Sequence, residues 1–455
     1  MNKIVLSLMA SIILVACHST KNIESETYIP IAVDTVNVLD DSPIKYIEIK
    51  DQQSDSSEVN IPEQPSKPEE VIVPEKPSKS VLKNPFEYVF TKDTVNIAIL
   101  LPINLWKTPT TTAQKQNFTF DAPTKMALDF YQGILVALPK FNGLGIHANI
   151  EIYDDQNDEG VAESIVNKPE FSKTDIIIGP IYNKNLRTVA NYAKQRGVPM
   201  FSPLSASSSI TENNPYYFTA NATNESHYAA IYDDIIKRFD GDTIFIFREG
   251  TDDELSVIKS FEAKNKEWGE RIVLIEKIIS KSWDTTKIPQ YFSDTLPKTI
   301  IVPSYNKNFV AQLMGRLKLL PKNYFNIYGL STWSTFDKKN LSLKNGDVFC
   351  TASSHLNYNN SEYSIFKGTY EAKFHKKPGD ASLQAHDLIT YLAALLNTKS
   401  FNPYGNQATE SIQYIQTQFG FIPNKSSDGT VNYYDNSFVF ILKFDQSSQT
   451  FIPYR

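Results

Sequence analysis

Ile150-Glu151-Ile152-Tyr153-Asp154-Asp155 and Asp175-Ile176-Ile177-Ile178-Gly179-Pro180 are the two stretches that decide the fold. Each is a short apolar run that breaks off at its carboxyl end into acidic or turn residues. A strand buried in a parallel sheet reads this way, because β-branched residues serve both of its faces. Between them, Asp158 to Val166 has helical spacing. After them come a helix from Asn185 to Arg196 and a strand from Val198 to Ser202. Before them lie a strand from Val95 to Leu101 and a helix from Thr124 to Leu138. That helix carries Met126, Leu128, Phe130, Ile134, Leu135 and Leu138 on one face, and Pro123 suits its start. The order βαβαβαβ with short connections implies a parallel sheet with helices on both faces.

A second series follows. Helices are read at Tyr228 to Phe239, Glu254 to Lys266 and Phe309 to Leu320, and a long one at Ala381 to Asn397. Strands are read at Asp242 to Phe247, Arg271 to Ile275, Lys298 to Val302, Asn326 to Gly329 and Asp347 to Thr351. A hairpin closes the chain, Ser437 to Phe444 with Thr450 to Tyr454. Two α/β series in about 360 residues exceed what one core usually holds. Two lobes are therefore expected: 93–220 with 355–425, and 221–354 with 426–455.

These residues are similar to the type I periplasmic-binding superfamily, in its branch of leucine/isoleucine/valine-binding proteins and receptor ligand-binding regions. The resemblance rests on the two opening stretches, on Gly197-Val198-Pro199-Met200-Phe201-Ser202-Pro203 with the Ser-rich loop to Thr211, and on Ala381-Ser382-Leu383-Gln384-Ala385-His386-Asp387. It implies a two-lobed fold whose sheets face each other across a cleft that closes on a hinge. It places Pro102 to Trp106, Tyr182 to Asn185 and Ser205 to Ser208 on one wall. Arg248 to Asp252, Ser304 to Asn306 and Ser331 to Ser334 fall on the other. The ligand contacts so implied are Tyr182, Asn183, Ser205, Ser207, Arg248, Asp252, Tyr305, Ser331 and Trp333, with no cofactor and no metal. Serine hydroxyls suit a carboxylate, and Tyr182, Tyr305 and Trp333 suit an apolar body.

The match is incomplete. Where the family has a threonine, Ala206 and Ser207 stand. Its second-lobe tyrosine falls near Asp252, and its ammonium-binding acid near Ser331. An unpaired buried ammonium is costly, so an amino-acid ligand would need Asp154, Asp252 or Asp253 instead. The resemblance implies a solute receptor, with an ABC importer as the partner such receptors serve. The runner-up is an envelope protein of the same fold that docks other proteins, such as an activator of a cell-wall synthase.

The amino-terminal residues address location. Met1-Asn2-Lys3 is basic, and Ile4 to Ala16 is an apolar run of about 13 residues, short of the roughly 20 that span a bilayer. It has the length of a signal-peptide apolar region. Leu14-Val15-Ala16-Cys17 resembles the bacterial lipobox, whose cysteine is acylated and becomes the new amino terminus. An ordinary signal peptide with a chance cysteine is the other reading. His18 follows, where an aspartate commonly retains lipoproteins on the inner membrane, so the outer membrane is favoured. Residues 17–92 read as an unfolded tether. Prolines at 62, 65, 68, 74, 77 and 85 favour extended chain at ~3.1 Å per residue, a reach on the order of 50–100 Å.

Composition narrows the function classes. The net charge is −6 with no basic block, which disfavours nucleic acid. Cys350 has no partner beyond Cys17, so no internal disulfide is expected, and its strand context marks it as a small buried hydrophobe. The sequence has no Gly-x-Ser-x-Gly, His-Glu-x-x-His, Gly-x-x-x-x-Gly-Lys or Cys-x-x-Cys. His147, His227, His355 and His375 are scattered. His386-Asp387 reads as core and capping contacts, and Asp154-Asp155 as a turn. No enzyme is expected.

Overall fold

The computed structural model describes residues 47–50, 94–109, 118–279, 288, 291–292, 296–320, 322–397 and 414–454. The expected signal peptide, Cys17 and the prolines of the tether lie outside them.

The first sheet contains β1 (Ile47–Lys50), β2 (Thr94–Leu101), β3 (His147–Asp154), β4 (Ile176–Ile178), β5 (Met200–Ser202), β6 (Tyr217–Thr219), β12 (Phe421–Lys425) and β13 (Val431–Asn436). Their spatial order is β1-β3-β2-β4-β5-β6-β13-β12, parallel except for the β12–β13 hairpin. The second sheet contains β7 (Thr243–Arg248), β8 (Val273–Ile278), β9 (Lys298–Val302), β10 (Phe325–Gly329), β11 (Gly346–Ala352), β14 (Phe440–Asp445) and β15 (Thr450–Pro453). It runs β15-β14-β11-β10-β9-β7-β8, with its terminal hairpin antiparallel. This is the expected two-lobed α/β architecture.

Alternation along β2 shows how one strand serves two cores. Ile97, Ile99 and Leu101 face α1 (Ala122–Ala137) and α8 (Asp380–Asn397), the helix that follows α7 (Ser361–Phe374). Ala98 and Leu100 face α2 (Glu159–Val166) and α3 (Asn183–Arg196). Gly133 sets the approach of α1 to α8: a Cβ there would lie 2.2 Å from the Ser382 carbonyl oxygen. The second sheet packs α4 (Asn224–Phe239), α5 (Asp252–Glu267) and α6 (Lys307–Leu317) over a core that includes Cys350. Burial pushes that thiol up to about 12, as expected of an inert buried cysteine.

The structure corrects two of the expected boundaries. Residues 426–455 were assigned to the second lobe, yet β13 pairs parallel with β6 in the first sheet, Tyr434 opposite Phe218. Tyr434 stacks on Phe218 at 5.1 Å between centroids. This aromatic burial outweighs proximity to the terminal hairpin, and the chain crosses only after Asn436. Within the expected tether, Ile47–Lys50 forms β1 against β3. Its alternation of Ile with Glu and Lys suits an edge position.

Three crossovers join the lobes: residues 220–223, 353–360 and 437–439. Asp435 ties the first to the third. Its buried carboxylate accepts from Thr219 Oγ1 at 2.6 Å, Ser226 Oγ at 2.6 Å, Thr223 N at 3.2 Å and the Thr223 hydroxyl. Asn436 Nδ2 donates to the carbonyls of Ala220 and Gln418, both at 2.9 Å. His227 Nε2 lies 3.0 Å from Ser353 Oγ.

Candidate functional site

Loops at the carboxyl ends of β2 and β3 are locked before any ligand arrives. Asp154 accepts from Asn104 N (2.9 Å) and Gln156 N (3.1 Å) on Oδ1, and from Leu105 N (2.9 Å) on Oδ2. The acidic pair thus builds a turn, as the sequence suggested. Asp155 beside it is almost fully buried. Burial raises its carboxyl to about 7 against the help of the Asn157 amide and Asn185, and Asp154 adds repulsion.

The next two loops open onto a cavity of about 630 Å³. Tyr182 and Asn183 reach it from the start of α3, and Ser205 from the loop after β5. Ser205 Oγ donates to Asn183 Oδ1 at 2.5 Å, and Ser207 N donates to Ser205 Oγ at 3.2 Å. The apolar lining comes from Met126, Ile181, Leu204 and Ala381. Tyr182 OH lies 3.4 Å from Met126 Sδ. Across from them Gln384, on the second turn of α8, donates to the Pro203 carbonyl at 3.3 Å. Gln416 closes the wall, its Nε2 donating to the Asp380 carbonyl at 3.0 Å. Gln416 is held from behind: Asp387 accepts the amides of Ile415, Gln416 and Thr417 at 2.8, 2.9 and 2.8 Å. His386 sits between Asp387 (3.3 Å) and Glu362 (3.4 Å). Burial alone would lower its imidazole, but the two carboxylates raise it. The pair serves packing and capping.

Three of the nine expected contacts, Tyr182, Asn183 and Ser205, meet at this cavity, with Ser207 hydrogen-bonded to them. The second-lobe residues do not line it. Trp333 was expected as a stacking wall but is fully buried, its indole Nε1 donating to the Ser304 carbonyl at 3.1 Å. It fills the space above Gly329, where a Cβ would lie 2.0 Å from the ring. Arg248 is buried and paired with Glu276. Asp252 sits in the first turn of α5, where the Thr251–Glu254 capping box holds the chain. Tyr305 is exposed, its hydroxyl 3.1 Å from that of Tyr228. Ser331 opens the short helix Ser331–Thr335 and its carbonyl accepts from Ser334 Oγ. Among the described residues no cluster of three His, Cys, Asp or Glu is placed to hold a metal. None of their helices is long and apolar enough to cross a membrane.

Sequence reading missed Met126, Gln384, Asp380, Asn221 and Gln416 as lining residues. Gln384 lay within a quoted stretch, and its place on the second turn of a helix ending at the cavity was the available signal. Gln416 had none, because the segment around it has neither strand nor helix period.

A family model described as periplasmic binding protein matches residues 126–417, more than half of the chain. The chain belongs to this periplasmic binding protein family. Membership implies a place in the cell envelope and a fold built for holding solutes. The fold is shared with a solved structure. One described as a branched-chain amino acid ABC transporter from Rhodospirillum rubrum is 14% identical, covers 79% of this chain and 100% of its own, with a TM-score of 0.53. An ABC transporter substrate-binding protein from Desulfitobacterium hafniense is 12% identical, covering 79% of this chain and 100% of its own, at a TM-score of 0.48. A branched chain amino acid ABC transporter periplasmic ligand-binding protein from Burkholderia xenovorans is 13% identical, covering 79% and 94%, at 0.48. No curated protein matches the chain.

Proposed function

We propose that this periplasmic binding protein is a solute receptor, held to the envelope by a lipid on Cys17, that binds without catalysis and hands its ligand to an ABC importer. The carrying observation is the cavity of about 630 Å³ at the carboxyl edge of the first sheet, within the roughly 300–1,000 Å³ usual for small-molecule sites. Its chemistry suits a small ligand with an apolar body and one polar head. Met126, Ile181 and Leu204 would take the body. Asn183 and Ser205 would take the head, displacing the hydrogen bond they make to each other. An aliphatic amino acid or a similar carboxylic acid meets this description, as the description of the Rhodospirillum rubrum structure also suggests. Asp380 is the one acidic side chain among the described lining residues, in the place where an ammonium could be met.

The test is a thermal-shift panel on the purified protein with amino acids, aliphatic and aromatic acids and short peptides. Ligand at 100 times its dissociation constant adds ~2.7 kcal/mol, a plain rise in Tm. A hit among aliphatic amino acids or acids supports the reading. Silence across the panel rejects it in favour of protein docking in the envelope, which pull-down with a cell-wall synthase would then examine. For the anchor, Cys17→Ala should move the protein from the membrane to the soluble fraction. Unchanged membrane association would reject it.

A further inference from the structure

The crossovers have a second face. Ser354 lines the cavity just described, while its neighbour His355 lines another, of about 1,140 Å³, and Gln416 borders both. The partition between the two is therefore one extended segment, 353–355, backed by 415–417. His355 N donates to the Gln416 carbonyl at 2.9 Å across it. The walls of the larger cavity come from both lobes: α4 and the terminal hairpin on one side, residues 357–361 and 414–418 on the other.

Three features define what this cavity can hold. The first is charge. Asp234 is already matched by Arg238 Nη2 at 2.9 Å and by the Tyr328 hydroxyl at 2.6 Å. Asp233 and Lys237 lie one helical turn apart on α4, and Lys264 also acts on Asp233 from the neighbouring helix. Asp233 and Asp234 are thus balanced in number by Lys237 and Arg238, so this wall carries no net charge. The second is amide density: Asn357, Asn359 and Gln418 stand on one wall, and amides both donate and accept, while the Asn360 amide is used in capping Glu362 N and in donating to the Tyr414 carbonyl. The third is aromatic surface. Phe438 and Phe440 meet edge to face at 5.2 Å, half-exposed, and the His355 ring lies 6.1 Å from Phe440. Burial lowers the His355 imidazole, which keeps that wall uncharged at neutral pH.

Apolar ring faces beside neutral amides match a sugar, whose C–H face packs on an aromatic and whose hydroxyls pair with amides. The volume exceeds the usual small-molecule range, so more than one ring fits. We propose that this crossover-side cavity is a second binding site, for a neutral oligosaccharide. It does not rest on the function proposed for the first cavity.

The experiment is calorimetric titration of the whole protein with cellotetraose, maltotetraose and tetra-N-acetylchitotetraose. At least one should bind with a Kd of about 1 mM or tighter. Phe438→Ala, and separately the surface change Asn359→Ala, should each weaken it by about fivefold or more. Tyr182→Ala, on the other cavity, should leave it unchanged. No heat from any of the three sugars at about 10 mM would overturn the proposal, as would binding indifferent to both Phe438→Ala and Asn359→Ala. Failure of the amino-acid panel would leave this result readable, since the two cavities take different probes and different variants.

Discussion

The two sheets present the same kind of edge to their loops and use it in opposite ways. In the first lobe the loops after β4 and β5 stand apart, and Tyr182, Asn183 and Ser205 line a cavity. In the second lobe the matching loops are filled by the protein itself. Trp333 occupies the space over Gly329, and Arg248 is paired with Glu276. Ser304 Oγ and Asn306 Nδ2 donate to Glu249 at 3.2 and 2.9 Å. The buried acids tell the same story. Glu254 in the second lobe accepts the amides of Glu249, Gly250 and Thr251 at 3.1, 2.8 and 2.9 Å. Asp155 in the first has its Oδ2 buried without a hydrogen bond of good geometry. One edge is finished as structure; the other retains polar capacity and open space. A common topology fixes where loops gather and leaves side-chain size to decide whether a site results.

That contrast can be broken at several points. Trp333→Ala should have the largest effect, about 3–5 kcal/mol of lost stability, because the residue is core; urea unfolding reads it. A loss under about 1 kcal/mol would mean the second edge is open after all.

Asp155→Asn should act in the other direction, and with pH. Burial holds the folded carboxyl at about 7, well above the ordinary aspartate value of about 3.9. The folded state therefore holds a proton that the unfolded state has lost, and stability falls as pH rises from about 4 to 7. The amide removes that loss. At pH 8 the variant should be more stable than the parent by on the order of 2–4 kcal/mol, with little difference at pH 4. Equal pH dependence in parent and variant would show that Asp155 is solvated.

Ser205→Ala should cost about 1 kcal/mol of stability or less and weaken the ligand by about tenfold, or 1.4 kcal/mol. The smallest effect is expected from Ser331→Ala, whose side chain lines neither cavity: affinity within about twofold of the parent. A larger loss at Ser331 than at Ser205 would reverse the comparison.

Much of the fold was legible because it is written in period. Ile176-Ile177-Ile178 and Val95 to Leu101 could only be buried strands. Helices such as Asn185 to Arg196 were found to within a turn. Tyr217–Thr219 escaped because three residues carry no period, and β13 was misplaced because parallel docking on β6 is a long-range choice that the hairpin sequence does not encode. On the site, Tyr182, Asn183 and Ser205 followed from the rule that ligands gather at carboxyl ends of strands. Trp333 misled for a physical reason: an aromatic in a loop reads alike whether it faces a cleft or fills one. Only the absence of a side chain at Gly329, directly beneath the ring, distinguishes the two.

The central claim is that ligand is held by the first edge and not by the second. Its most direct test is calorimetric titration of the best ligand from the amino-acid and acid panel into Tyr182→Ala and, in parallel, Asp252→Ala. Tyr182→Ala should weaken binding by at least about tenfold and Asp252→Ala by less than about twofold. Full affinity in Tyr182→Ala, with binding lost in Asp252→Ala, would contradict the account and move the site to the second lobe.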